Sequence, residues 1–157
     1  MEVIFDTGIW ARIGAEEIID ELKSALEDGD YLIVLPPSVL LEVLRTPRAD
    51  YRDRDVKAMI SSGGRRLASE AELCSNEFVN AVRRYRPQWQ RKKTDYATVN
   101  KFHQFWTEGI WTLAAEDSDE AHRRAGTMLA SAPQIVENQR RNRQEILAHN
   151  FSGNTSI

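Results

Sequence analysis

Two acidic residues, Asp6 and Glu42, each follow a short apolar run of the sequence. Asp6 comes directly after residues 3–5, and Glu42 lies about one helical turn into the helix predicted after the run that ends at Leu35. Carboxylates that lie close together repel each other unless a cation is bound between them. Oxygen ligands without a neighbouring histidine or cysteine suit Mg²⁺ or Mn²⁺, which can activate water for attack on a phosphodiester. The pair is therefore predicted to bind a divalent metal ion that acts on nucleic acid.

Both acids also have an ordinary structural interpretation. Asp6 could serve as a turn or helix-capping residue, and Glu42 could be a surface residue of a helix. However, Glu42 is the one charged residue within residues 37–44, which are otherwise mostly apolar. A charged side chain in such a stretch is unusual unless it is paired or bound to a metal. This context favours the metal-binding interpretation.

The strands and helices predicted around these acids would bring them together. The predicted strands at 2–5 and 31–35 contain short, continuous apolar runs, which are typical of strands buried in a parallel sheet. Helical spacing of apolar residues predicts a helix at 15–28, and a further helix is predicted at 39–45 after Ser38 as its N-cap. The order strand, helix, strand, helix favours a parallel sheet, in which all strands end at the same edge.

Beyond Pro47 the chain is predicted to be mostly helical. A short strand is expected at residues 65–68, and helices are expected at 52–61, 69–86, 94–106 and from 118 onward. Residues 1–150 are predicted to form a single α/β domain that contains a helical insertion at about 69–115. Residues 151–157 are predicted to be a flexible tail.

Length, composition and charge restrict the class of protein. The 157 residues are 41% hydrophobic and 29% charged, as in an ordinary globular domain. We find neither a membrane-spanning run nor a signal peptide, and the single Cys74 excludes a disulfide framework, so a cytoplasmic location is expected. Residues 1–80 hold 9 basic and 16 acidic residues, whereas residues 81–157 hold 12 and 8. This asymmetry fits a metal site beside a surface for polyanions, or equally two halves that pair with each other.

Residues 83–93 form a basic segment with interleaved aromatic residues and no acid. Cationic side chains can neutralise phosphates, and aromatic or arginine planes can stack on unpaired bases. The alternative is a solvated helix end whose aromatic rings pack inward. The residues predicted to contact nucleic acid are Arg83, Arg84, Arg86, Trp89, Arg91, Lys92 and Lys93.

Residues 3–10 (VIFDTGIW) and 33–45 (IVLPPSVLLEVLR) resemble the first two motifs of PIN domains, which are metal-dependent nucleases and include many VapC-like ribonuclease toxins. The resemblance implies a three-layer α/β/α fold around a central parallel sheet, with Asp6 and Glu42 as catalytic Mg²⁺ or Mn²⁺ ligands. The family has a third acid that opens a helix, and the nearest counterpart here is Asp119. Acids in the first turn of a helix also commonly complement its dipole.

The leading functional expectation is a divalent-metal-dependent endoribonuclease, as in a toxin–antitoxin pair. RNA, an antitoxin protein and a second copy of the chain are the partners considered, and no membrane is expected. Two alternatives stay open. The chain could be a nuclease-inactive module that binds nucleic acid, or a helical protein-interaction domain in which the acids are structural.

Overall fold

A three-stranded parallel sheet begins the architecture in the computed structural model, which describes residues 1–89 and 95–130 and the isolated positions 137, 138, 140, 141 and 144. The strands are β1 (Glu2–Val3), β2 (Leu32–Leu35) and β3 (Arg65–Arg66), and β2 lies in the middle. Glu2 aligns with Leu32 in the first pair, and Val34 aligns with Arg65 in the second. Both pairs are parallel, so the three strands end at one edge of the sheet.

Helices make up most of the remaining described residues. Their bounds are α1 (Thr7–Glu16), α2 (Ile19–Asp28), α3 (Pro37–Leu44), α4 (Ala49–Ser61), α5 (Glu70–Tyr85), α6 (Tyr96–Gln104), α7 (Ile110–Glu116) and α8 (Ser118–Ala130). Helices α1 and α2 connect β1 to β2, and α3 and α4 connect β2 to β3. The described residues after β3 are helical or lie in connecting turns.

Several helix boundaries agree with the sequence prediction and others do not. Ser69 caps α5 as predicted, because its side chain accepts a hydrogen bond from the Glu72 backbone N–H at 3.3 Å. Helix α3 starts earlier than predicted, with Pro37 in its first turn, where the missing N–H of proline costs no hydrogen bond. The predicted helix at 15–28 was wrong at its start. Glu17 adopts a left-handed conformation (φ 54°) and separates α1 from α2.

The hydrophobic core lies where α1, α3, α4, α7 and α8 pack together and against β2. Its largest fully buried side chains include Trp10, Trp111, Leu40 and Met59. The buried Arg52 of α4 donates hydrogen bonds to the Thr46 carbonyl oxygen at 2.7 Å, to Ser118 Oγ at 3.3 Å and to Asp119. These bonds join α4 to α8 and to the turn that follows α3.

The predicted three-layer α/β/α fold around a central sheet was wrong. The three strands hold only two, four and two residues, and the described chain is mostly helical. A sheet covered by helices on both faces would bury its apolar side chains on both sides. Ile33, Val34 and Leu35 are buried although successive side chains of a strand point to opposite faces, whereas Leu32 is 44% exposed and Ile4 is 58% exposed. The small sheet is therefore only partly covered.

A π-helical turn, Phe105–Gly109, joins α6 to α7 without a loop. Within it, the rings of Phe105 and Trp106 meet edge to face with their centroids 5.1 Å apart. The indole N–H of Trp111 donates a hydrogen bond to the Trp106 carbonyl oxygen at 3.1 Å. Among the helices that the structure describes, none has the length and apolar character needed to cross a membrane.

Candidate active site

Asp6 lies at the carboxyl edge of the sheet, three residues beyond the end of β1. Its backbone is extended, and its side chain accepts a hydrogen bond from the Ile9 N–H at 2.9 Å. It is therefore the N-cap of α1, where a negative charge is also favoured by the helix dipole. Asp6 therefore has the capping role that its sequence position also allowed. Because Asp6 is exposed, its carboxylate is also accessible to solvent and ligands.

Glu42 projects from α3 next to the start of α1. The Thr7 hydroxyl donates a hydrogen bond to Glu42 Oε2 at 3.1 Å, and this bond joins residues that are 35 positions apart. The contact follows from the parallel pairing of β1 with β2, since both strands end at the same edge and each is followed by a helix. The two predicted motifs are therefore in direct contact, through Thr7 rather than through Asp6.

A third acid, Asp55 of α4, faces the same region. It is buried, and Arg54 contacts its Oδ1 with both Nε (2.9 Å) and Nη2 (2.8 Å). A methyl group at Gly14 of α1 would lie 2.9 Å from the same oxygen, so glycine allows α1 to approach this carboxylate closely. The Asp55 carboxylate is therefore held between α1 and the Arg54 side chain.

Sequence reasoning missed Asp55, although the sequence does contain a signal for it. Arg52, Asp55, Val56 and Met59 recur at helical spacing, and all four are buried on one face of α4. A carboxylate at a core-facing position of an amphipathic helix is uncommon without a partner, so such a residue merits attention as a candidate functional group.

Thr7, Glu42 and Asp55 line an open cavity of about 470 Å³. We call it the Glu42 cavity. It is lined by Thr7, Gly8, Ala11, Glu42, Val43, Arg45, Thr46 and Asp55. Asp6 is not among the lining residues, although a methyl group at Gly8, which is one of them, would lie 3.4 Å from Asp6 Oδ1. The cavity thus has acidic oxygens from α3 and α4 and a hydroxyl group from α1.

The donor set of the Glu42 cavity fits a hydrated hard cation better than a fully protein-coordinated one. Carboxylate and hydroxyl oxygens are the ligands that Mg²⁺ and Mn²⁺ prefer. In the part of the chain that the structure describes, however, no three or more His, Cys, Asp or Glu side chains are grouped closely enough to hold a metal ion. Mg²⁺ commonly binds to only one or two carboxylates and keeps several waters or substrate phosphate oxygens. The residues present fit that mode.

Asp119, the predicted third catalytic acid, lies elsewhere. It stands in the first turn of α8 and forms an ion pair with the buried Arg52. It borders a separate cavity of about 640 Å³ between α4, α7 and α8, together with Asp53, Lys57 and Asp117. The structure therefore does not bring Asp119 to the Glu42 cavity.

The basic aromatic segment is exposed where it is described. Arg83 and Arg84 stand in the last turn of α5, and a 3-10 turn, Pro87–Trp89, follows Arg86. The rings of Tyr85 and Trp89 are largely exposed rather than packed inward, so the alternative interpretation of buried aromatic residues does not hold for them. Arg84 lies over the Tyr85 ring at 5.2 Å from its centroid. The predicted contacts Arg91, Lys92 and Lys93 lie outside the described residues.

Comparison with known proteins does not assign the chain to a family. No protein-family model matches the chain, and neither a curated protein nor a solved structure is significantly similar to it. The resemblance to PIN domains therefore depends on the residues of the two motifs alone. Function has to be argued from the site itself.

Proposed function

We propose that the chain is a divalent-metal-dependent ribonuclease that hydrolyses phosphodiester bonds at the Glu42 cavity. The observation that carries the proposal is the Thr7–Glu42 hydrogen bond, which joins the two acidic motifs at the carboxyl edge of the sheet. Clefts at this edge are where ligands bind in parallel α/β sheets. Asp55 lines the same cavity with a buried carboxylate, whose charge is already paired with Arg54.

Asp6 and Glu42 are the residues that would hold Mg²⁺ or Mn²⁺. When bound, such an ion polarises a phosphate oxygen and lowers the pKa of a bound water. Thr7 orients Glu42, because its hydroxyl donates a hydrogen bond to Oε2. Arg45 lines the same cavity and supplies a positive charge that can contact a phosphate.

The basic aromatic segment is proposed to bind the RNA. The exposed rings of Tyr85 and Trp89 can stack on unpaired bases, and Arg83, Arg84 and Arg86 can neutralise phosphates. A toxin role would add an antitoxin partner, as the PIN resemblance implied. The described residues provide no further support for that partner.

The direct test measures cleavage of labelled single-stranded RNA in Mn²⁺ and in EDTA. The variants are Asp6→Asn, Glu42→Gln and Asp55→Asn, with Glu21→Gln as the matched control at an exposed position of α2. Asparagine at position 6 keeps the oxygen that caps α1, so this variant removes the charge without removing the cap. We expect a loss of about 100-fold or more in cleavage rate for Asp6→Asn and Glu42→Gln, consistent with the loss of an electrostatic catalytic group.

Thr7 provides a second matched pair. Thr7→Val removes the hydroxyl that holds Glu42, whereas Thr7→Ser keeps it. We expect Thr7→Val to weaken Mn²⁺ binding, measured by calorimetry, and Thr7→Ser to retain it. Cleavage that persists in EDTA, or that survives both Asp6→Asn and Glu42→Gln, would contradict the proposal.

The outcomes also separate the two alternatives. RNA binding without metal-dependent cleavage by the unaltered chain would identify a nuclease-inactive binding module. That alternative is favoured by the absence, among the described residues, of a group of three metal-binding side chains. A chain that neither binds RNA nor binds Mn²⁺ would leave the helical protein-interaction domain.

A further inference from the structure

An open cavity of about 620 Å³ lies along β3, at the end of the sheet away from β1. We call it the β3-edge cavity. It is lined by residues 64–68 of the strand and its flanks, and by Leu73, His103, Thr107 and Glu108 from the helical segments that follow. None of these residues lines the Glu42 cavity. The volume is that of an ordinary small-molecule pocket.

The backbone of Arg66 is directed toward this cavity. Within the described sheet, β3 pairs with β2 and with no other strand. Arg66 aligns with Leu35, and the Leu67 N–H donates a hydrogen bond to the Leu35 carbonyl oxygen at 3.1 Å. In a parallel ladder this register turns the N–H and C=O groups of Arg66 away from β2, toward the open edge. An edge of this length is too short to pair with another strand, but it matches one hydrogen-bonding edge of a planar heterocycle.

The cavity has charged side chains of both signs. The Arg66 guanidinium lies over the Trp111 ring, 5.4 Å from its centroid, and no acidic side chain in the described part of the chain pairs with it. Arg65, in contrast, is paired with Glu2 at 2.6 Å. Glu108 is exposed and forms no ion pair with a described residue. One free charge of each sign would repel either a phosphate or a metal ion. Together they favour a neutral ligand that has both hydrogen-bond donors and acceptors.

His103 gives the cavity an aromatic ring of fixed orientation. The hydrogen bond between its Nδ1 and Glu72 Oε1 is 2.9 Å long, and the Glu72 side chain is only 11% exposed. The π-helical turn Phe105–Gly109 widens the helix between His103 and Glu108, and both residues line the cavity. Histidine rings stack on unpaired bases in RNA recognition. The ring can therefore serve as a stacking surface for a planar ligand.

We propose that the β3-edge cavity binds a guanine base. Guanine has N–H donors at N1 and N2, which the Glu108 carboxylate accepts, and acceptors at O6 and N7, to which the Arg66 guanidinium donates. The His103 ring stacks on the base. Adenine does not fit in this way, because its N1 is an acceptor that would face the carboxylate and its N6 amino group would face the guanidinium. The base can belong to a free nucleotide or to single-stranded RNA.

The guanine pocket does not depend on hydrolysis at the Glu42 cavity, because the two cavities have no residue in common. If RNA is the source of the base, guanine-containing sites are expected to be cleaved preferentially. Only this consequence rests on the proposed function.

Titration of the unaltered chain with four mononucleotides tests the proposal directly. The ligands are the 5′-monophosphates of guanosine, adenosine, cytidine and uridine, and calorimetry measures their dissociation constants. All four carry the same phosphate, so any difference reports the base. Guanosine monophosphate is expected to bind about tenfold or more tightly than the others, which is typical of one bidentate base contact. Inosine monophosphate, which lacks the N2 amino group, is expected to bind less tightly than guanosine monophosphate.

The titrations are done in EDTA, so that metal-dependent hydrolysis cannot interfere. A chain that prefers guanine but never cleaves RNA would contradict the proposed function and support the pocket. A chain that cleaves RNA in Mn²⁺ but shows no base preference in EDTA would do the opposite.

Glu108→Gln tests the contact that selects guanine. It is expected to weaken guanosine monophosphate by about tenfold and not to weaken adenosine monophosphate, because only guanine uses the carboxylate. Glu77→Gln is the matched control at an exposed position of α5, and it is expected to change neither affinity.

Two further variants separate base reading from stacking. Arg66→Lys keeps the charge but loses the planar pair of donors, so it is expected to lower the guanine preference, with Arg12→Lys on the exposed side of α1 as its control. His103→Ala is expected to weaken all four nucleotides to a similar extent, since stacking does not distinguish the bases.

An oligoribonucleotide that contains a single guanine identifies the source of the base. Tighter binding of this strand than of guanosine monophosphate would support the pocket with RNA as its ligand, and equal binding would support it with a free nucleotide. Equal affinity for all four mononucleotides would indicate a phosphate contact alone and overturn the proposal. Absence of binding at millimolar nucleotide, or an unchanged guanine preference in Glu108→Gln, would overturn it as well.

Discussion

Replacing Asp119 by asparagine separates a structural role of this acid from a catalytic one. Asp119 is paired with Arg52, whose side chain is only 3% exposed. The asparagine side chain keeps an oxygen that can accept the hydrogen bond but lacks the negative charge. We therefore expect the Asp119→Asn chain to be less stable and to keep any metal-dependent cleavage.

The size of this effect follows from the contacts of Arg52. Removing one partner of a buried ion pair typically costs about 3–5 kcal/mol. Asp119 is itself 70% exposed, so solvent screens the pair. The hydrogen bonds from Arg52 to Thr46 and Ser118 also remain, which reduces the cost further. We expect the free energy of unfolding to fall by about 1–2 kcal/mol, which corresponds to a decrease in Tm of roughly 2–8 °C at this chain length.

Urea denaturation followed by circular dichroism measures the change, with the RNA cleavage assay run in parallel. Asp20→Asn is the control, because Asp20 is exposed and its contact with Lys23 is long at 3.9 Å. We expect Asp20→Asn to change stability by less than about 0.5 kcal/mol. If Asp119→Asn leaves stability unchanged but abolishes cleavage, the structural assignment is refuted and Asp119 returns as a catalytic acid.

The remaining predictions concern a tight glycine and a helix cap. Gly64→Ala is expected to destabilise the fold by about 1–3 kcal/mol in urea denaturation, because a methyl group there would lie 2.9 Å from two side chains of β2. A methyl group at Gly126, inside α8, would meet no atom of the described residues within 4 Å, so Gly126→Ala is expected to give equal or higher stability. A loss similar to that of Gly64→Ala would contradict the steric reason. Hydrogen bonds from Thr98 hold the pKa of Asp95 below its usual value of 3.8. Capping of α6 by the ionised Asp95 therefore stabilises the fold above about pH 4, and this stability is lost as the pH falls through the lowered pKa. In an acid titration followed by circular dichroism, Asp95→Asn is expected to lack this loss.

Local features near the carboxyl edge of the sheet could be predicted from the sequence because they depend on short-range chemistry. The proline pair at 36 and 37 begins a helix, and the apolar run before it forms a strand. Parallel pairing then brings Thr7 to Glu42, as expected for residues that follow neighbouring strands. The sequence left open whether Asp6 would be a metal ligand or a cap, and its side chain is engaged as the cap of α1.

The number of layers could not be predicted in the same way. An apolar run indicates that a segment can be buried, but whether a second helical layer covers it depends on how distant helices pack. Here the strands hold only two, four and two residues and the described chain is mostly helical, so the three-layer expectation fails on the size of the sheet. The prediction of Asp119 as a third catalytic acid depended on local sequence in a similar way. An acid in the first turn of a helix has the same local sequence whether it binds a metal or pairs with Arg52.

The π-helical turn at Phe105–Gly109 acts as a phase shift within a continuous helical segment. Helix α6 before it has no buried residue, whereas α7 after it buries Ile110, Trp111 and Ala114. One additional residue in a helical turn rotates everything that follows by about 100° relative to a regular α-helix. A single-residue deletion in this turn would therefore rotate Trp111 out of the core without changing its identity. In this part of the chain, the spacing between residues matters as much as their type.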